Sequence, residues 1–164
     1  MTVDAARRLL AAVGPGLFQQ GIVVADIVAA QTALGAVMGC DRWVTLPPAD
    51  LDYDLRGRTV SCALDLAFGR SGGVQVELLQ PVRGEGLHVE FLAAHGPGLH
   101  HLGFRVDDLA DVAGEARTLG FPPVMGGGFG PLRFCYLDTW DALGVYVELV
   151  EDPEGTMAAI MPWR

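Results

Sequence analysis

Alternation of apolar and polar residues marks the strands of this chain, because side chains of an extended backbone point to opposite faces with a period of two. Around His101, the residues Leu102, Phe104 and Val106 form one apolar face, so His101, Gly103 and Arg105 look the other way. An earlier segment opening at Phe18 sets Gln19, Gly21 and Val23 on the corresponding face. Two later strings behave alike. Val74, Val76 and Leu78 oppose Gln75, Glu77 and Leu79, while Val145, Val147 and Leu149 oppose Tyr146, Glu148 and Val150. Each closing strand therefore sets a glutamate against apolar neighbours. Acidic starts followed by alanine-rich runs predict helices over Asp26–Val37 and Asp108–Leu119, ended by Gly39 and Gly120. Further strands are expected near Arg42–Leu46, Thr59–Phe68 and Leu132–Leu137, and a short amino-terminal helix capped by Asp4 is stopped by Gly14-Pro15-Gly16. Pro47-Pro48 and the Gly126-Gly127-Gly128 run read as loops, the stretch to Gly130 being either a flap over a cleft or a flexible turn.

The same strings recur in order, which is the signature of an internal repeat. FQQGIVVADI returns 82 positions later as HHLGFRVDDL, laying Gln19 on His101, Gly21 on Gly103 and Asp26 on Asp108. VQVELLQP returns 71 positions later as VYVELVED, laying Glu77 on Glu148. The unit is a strand, a helix and two or three strands, used twice. This predicts an α+β chain with a helical extension over 1–16, a first module over 17–82, a connection over 83–98, a second module over 99–152 and a tail over 153–164. Two such units bury one side of their sheets under helices and curve the other sides around a cleft.

Composition narrows the partners. The chain has 164 residues and a formal charge of −9, so its surface repels phosphate backbones and no nucleic-acid or anionic-membrane partner is expected. All 11 basic residues are arginine, which excludes lysine Schiff-base chemistry and a phosphate-loop lysine. Cys40, Cys62 and Cys135 are scattered and odd in number, as suits buried thiols in a reducing compartment. The apolar stretch Leu9–Val13 is too short for a signal sequence or a membrane span, and the expectation is a soluble cytoplasmic protein.

Gln19, Glu77, His101 and Glu148 come into register as one position from the first and last strand of each unit. An imidazole, an amide oxygen and two carboxylates suit a divalent cation such as Zn, Ni, Co, Mn or Mg, with room for water or substrate oxygens. A single polar residue in a strand is usually just solvated, and it is the symmetric placement that singles out these four. Arg105 shares the His101 face and is a candidate for a substrate carboxylate, with a strand-end ion pair to Asp107 or another acid as its alternative. His100 falls on the opposite face and reads as structural, bonded to backbone. His88 and His95 lie in the connection with no partner visible in the sequence and read as solvated.

The strings GPGLHHLGFRVDDL, VQVELLQPV and GVYVELVE, together with the repeat, resemble the vicinal oxygen chelate superfamily, which includes glyoxalase I, methylmalonyl-CoA epimerase, extradiol dioxygenases and bleomycin-resistance proteins. The resemblance runs from Phe18 to Glu151, and the segment EFLAAHGPGLHHLGF is most similar to the epimerase branch. It implies two βαβββ modules in one chain, forming a curved mixed sheet around a metal-binding cleft, with Gln19, Glu77, His101 and Glu148 as the ligands. The epimerases usually carry His at the position of Gln19, whereas zinc-type glyoxalase I is similar in using Gln, Glu, His and Glu. An additional epimerase acid has only Asp54 and Asp65 as loose matches. The implied chemistry is that of a metal-dependent isomerase, epimerase or glyoxalase-type lyase: proton abstraction beside a carbonyl, the developing enolate being stabilised by the cation. Glu148 is the first choice of base and Glu77 the second acid/base. The substrate is a small molecule with vicinal oxygens, and a homodimer is the default assembly, the site lying within one chain or across two. The rival is a non-catalytic binding or drug-sequestering protein of the same fold, which would tend to lose the ligand set.

Overall fold

The computed structural model describes residues 3–160. Nine strands form one mixed sheet: β1 (Leu17–Val23), β2 (Val44–Leu46), β3 (Asp50–Leu55), β4 (Arg58–Ser71), β5 (Val74–Gly84), β6 (Gly98–Arg105), β7 (Pro123–Phe129), β8 (Leu132–Leu137) and β9 (Tyr146–Glu151). The helices are α1 (Val3–Val13), α2 (Ile27–Met38), α3 (Leu87–His95), α4 (Leu109–Thr118), α5 (Trp140–Leu143) and α6 (Thr156–Ile160). The strand order is β2-β4-β3-β7-β8-β9-β6-β1-β5, and β5 pairs back onto β4, so the sheet closes on itself. β2 stays outside this ring, sharing with β3 one edge of the long β4. The α+β class and the doubled strand-helix-strands order are as the repeat predicts: β1-α2-β3-β4-β5 answers β6-α4-β7-β8-β9, with β2 an insertion in the first unit.

The local signals act as elementary chemistry requires. The Asp26 carboxylate accepts from the amides of Val28 and Ala29 at 3.0 Å and caps α2, while Gly39 closes it at φ 69. Asp108 likewise caps α4, accepting from the Asp111 amide at 2.9 Å. Asp4 lies inside the first turn of α1 rather than ahead of it, and pairs with Arg8 one turn on at 3.1 Å. α1 is no loose extension, for Leu9 and Val13 are buried with Phe104, Ala116 and Leu149 beneath α4. Under α2, Val76 and Leu78 pack with Ile27 and Ala67. The faces assigned to the closing strands are the faces observed.

Three segments depart from expectation. β3 reads DLDYDL, and its alternation places Leu51, Tyr53 and Leu55 inward between three aspartates; such charge density hid the strand. The glycine run 126–128 is part of β7 and not a loop, paired along β8. It is glycine because neighbours crowd it: a Cβ on Gly127 would stand 2.8 Å from Tyr53 and 3.2 Å from Phe134. The connection contains α3, whose short apolar run has no strong period, and it carries Leu87, His88 and Phe91 into the core.

Candidate functional site

The repeat is cut into the site residue by residue. β1 and β6 run antiparallel at the middle of the sheet, with Gln19 opposite Gly103 and Gly21 opposite His101. Parallel to them, β5 places Glu77 beside Gly21, and β9 places Glu148 beside Gly103. Each glycine is therefore flanked by two of the four candidate ligands, and a side chain from a neighbouring strand lies across it. A Cβ on Gly21 would overlap the His101 ring, and one on Gly103 would stand 2.9 Å from Gln19 Oε1. The two glycines are the space into which the donors fold.

The four side chains converge within one chain. His101 Nε2 lies 3.2 Å from Glu77 Oε2, 3.4 Å from Glu148 Oε2 and 3.4 Å from Gln19 Oε1, and all four residues are buried. The Gln19 amide nitrogen donates to Gln75 Oε1, which turns its oxygen toward His101. Tyr136 hydrogen-bonds Glu148 from β8. Burial pushes the Glu77 carboxyl up to about 8 and the Glu148 carboxyl up to about 7, the latter held down by His101 and raised by Glu77. The same burial lowers His101, against the pull of Glu148. Two acids and an imidazole thus share a buried pocket that charges of one sign cannot occupy comfortably. An oxygen-rich donor set with two carboxylates fits a hard or borderline divalent cation, which would supply the missing positive charge.

Behind His101 lies a second cluster. His88, His100 and His101 are buried, with ligand-capable nitrogens within 4.8 Å of one another. His100 Nδ1 is 3.0 Å from His101 Nδ1, and His88 Nε2 is 3.2 Å from the Tyr136 hydroxyl. Among the described residues His88 Nδ1 and His100 Nε2 have no hydrogen-bond partner. These are corrections: His88 is fully enclosed rather than solvated, its pKa pushed down to about 3 by burial, and His100 contacts an imidazole rather than backbone. The reason is a bulge in β6, where Gly21 pairs with His101 but Ile22 pairs with Leu99, leaving His100 as the extra residue. Such a neighbour can fix the ring of a ligating His101, whose Nδ1 hydrogen has His100 to donate to when Nε2 is engaged.

Three of the four donors, Gln19, Glu77 and Glu148, line a cavity of about 320 Å³ together with His88 and Tyr136, while the fully buried His101 is not part of its lining. Elsewhere its wall is aliphatic and aromatic, including Phe18, Leu64, Leu66, Phe68 and Phe134. Arg105 is not part of the wall; it is exposed, with its guanidinium 4.7 Å over the Phe18 ring, and among the described residues no ion pair joins it to Asp107. Asp54 and Asp65 are also outside it, Asp54 accepting from the Gly57 amide in a turn. Sequence reasoning missed Tyr136 and the apolar wall, since a lone tyrosine in a core strand carries no distinguishing pattern. Cys40, Cys62 and Cys135 are free and buried. No helix among the described residues is long and apolar enough to cross a membrane.

Comparison with known proteins points the same way. The profile of the glyoxalase/bleomycin resistance protein/dioxygenase superfamily matches residues 18–136. No curated protein sequence matches the chain significantly. Among solved structures, methylmalonyl-CoA epimerase from Mycobacterium tuberculosis is 25% identical with a TM-score of 0.60, over 87% of this chain and 91% of that one. A hypothetical protein from Bacillus halodurans shares the fold at 22% identity and a TM-score of 0.62, over 84% and 94% of the two chains. A Streptomyces coelicolor methylmalonyl-CoA epimerase variant in complex with 2-nitronate-propionyl-CoA also shares the fold, at 24% identity and a TM-score of 0.57 over 84% and 94%.

Proposed function

The chain belongs to the glyoxalase/bleomycin resistance protein/dioxygenase superfamily, and from that premise we propose that it is a divalent-metal-dependent enzyme of proton transfer beside a carbonyl, an isomerase or epimerase in character. The observation that carries this reading is the meeting of Gln19, Glu77 and Glu148 within 3.2–3.4 Å of His101 Nε2. These four residues would hold the ion. When bound, it would supply Lewis acidity to two adjacent substrate oxygens.

The rest falls to the chain's own groups. Glu148, a buried carboxylate reaching the site from β9, takes the proton from the carbon next to the carbonyl as the general base. The Tyr136 hydroxyl orients it by hydrogen bond. Glu77, reaching the site from β5 where Glu148 reaches it from β9, serves as the second acid/base. Two carboxylates on opposite modules permit removal of the proton on one face of the substrate and its return on the other. The wall formed by Leu64, Leu66 and Phe134 keeps water from the exchanging proton.

The test is deuterium uptake at carbon, followed by NMR in D2O with metal-loaded and chelator-stripped protein, using methylmalonyl-CoA and 1-hydroxy-1-phenylpropan-2-one as probes. Loaded protein is expected to exchange the carbon-bound proton of at least one probe, and stripping is expected to remove the activity and added Zn, Ni, Co or Mn to restore it. Binding of a probe with no exchange under any metal would contradict the enzyme reading and favour a non-catalytic binding protein.

A further inference from the structure

The cavity wall has a chemistry that the donor set alone does not predict. From Phe18 on β1 and Leu46 on β2 through Leu64, Leu66 and Phe68 on β4 to Phe134 on β8, the surfaces facing the void are hydrocarbon. Phe68, Leu132, Val150 and Met157 form a buried cluster of their own, against which Phe18, Leu46 and Phe134 pack, and this cluster is continuous with the wall. Among the described residues no arginine lines the cavity.

Five arginines are engaged elsewhere. Arg56, Arg58 and Arg83 are held by Glu90, Glu85 and Asp50 at 2.8, 3.2 and 2.7 Å, on the outer surface. Arg133 donates to the carbonyls of Gly130 and Leu132, and Arg105 lies over Phe18 outside the wall. A coenzyme A thioester brings phosphates that call for Arg or Lys, and a malonyl-type acid brings a carboxylate that must be desolvated. Apart from the ion proposed among the donors, the described wall gives neither of them a cation, and the chain as a whole carries −9. The polar lining is confined to Gln19, Glu77, His88, Glu148 and two tyrosines, while the remainder offers only burial of apolar surface.

We propose that the occupant is a neutral, largely apolar molecule carrying two adjacent oxygens at one end, an aryl or alkyl α-hydroxy ketone or 1,2-dicarbonyl, and not a coenzyme A thioester. The adjacent oxygens meet the end formed by Gln19, Glu77, His101 and Glu148, and the hydrocarbon body lies against Leu66, Phe68 and Phe134. A volume of about 320 Å³ sits at the small end of the range for enclosed ligand sites, which suits a single ring with a short chain better than a long one. The orientation of the molecule rests on the reading of the four residues as a metal site; the apolar character of the molecule rests on the wall.

Isothermal titration calorimetry separates the two. Zinc-loaded protein is titrated with 1-hydroxy-1-phenylpropan-2-one and with methylmalonyl-CoA, and the ketone titration is repeated on chelator-stripped protein and on Leu46→Asp, whose melting temperature reports its folding. The ketone is expected to bind at least tenfold more tightly than the thioester, and Leu46→Asp to weaken it at least tenfold while remaining folded. Equal or tighter binding of methylmalonyl-CoA, or no binding of the ketone, would overturn the proposal. A ketone affinity indifferent to zinc would uphold the apolar ligand class and instead count against the metal reading of the site.

Discussion

Glu148→Gln is expected to lower proton exchange at the substrate carbon by about 10²–10⁴-fold, the usual contribution of a positioned general base. The amide keeps the shape of the side chain, its contact with Tyr136 and an oxygen for the ion, but it has no site to take a proton. The fold should be untouched, because the substitution relieves a carboxylate that burial and Glu77 already push toward its neutral form. Deuterium uptake measured beside metal content and melting temperature isolates the effect. Exchange at the wild-type rate in a metal-replete Glu148→Gln protein would remove Glu148 from the role and pass it to Glu77.

Gly21→Ala is expected to be more damaging than its size suggests. The added methyl falls on the His101 imidazole, a ring with no exposure that is fixed by His100 behind and by Glu77 and Glu148 in front. Overpacking of this kind costs about 1–3 kcal/mol, and relief requires the ring to swing off the three oxygens. We therefore expect a lower melting temperature together with at least a tenfold loss of metal affinity. Gly103→Ala is a graded control, since its methyl would meet the Gln19 side chain at 2.9–3.0 Å, an amide that has more freedom to yield. A Gly21→Ala protein with unchanged metal affinity would mean that His101 does not need its present place.

The repeat made most of this arrangement readable. Gln19 with His101 and Glu77 with Glu148 are equivalent positions of two copies, so period-two faces alone were enough to bring them to one cleft, and Gly21 and Gly103 fell on the same faces. What the sequence concealed has specific causes. His100 belongs to a bulge, and a bulge breaks the very alternation by which faces are assigned. His88 rides on α3, a nine-residue helix without a pronounced apolar period, and its burial depends on β-strands distant in sequence. β3 is disguised by its three aspartates, and β7 by a glycine run that ordinarily signals a loop. The apolar wall is assembled from strands of both modules, so no single segment announces it. Arg105 shows the limit of face assignment: it shares the parity of His101, yet it sits at the strand end, exposed, over the Phe18 ring and outside the cavity lining.

The histidine cluster offers a competing seat for an ion, and the two seats differ in donor chemistry. One provides a single imidazole and three oxygens; the other provides three imidazoles, His88, His100 and His101. X-ray absorption at the metal edge of the zinc- or nickel-loaded protein reads that difference directly, because each coordinated imidazole adds its own outer-shell scattering. The account predicts one metal per chain with one imidazole and an otherwise oxygen first shell. A shell of three imidazoles, or a metal that dissociates unchanged in Glu77→Ala and Glu148→Ala proteins, would contradict it.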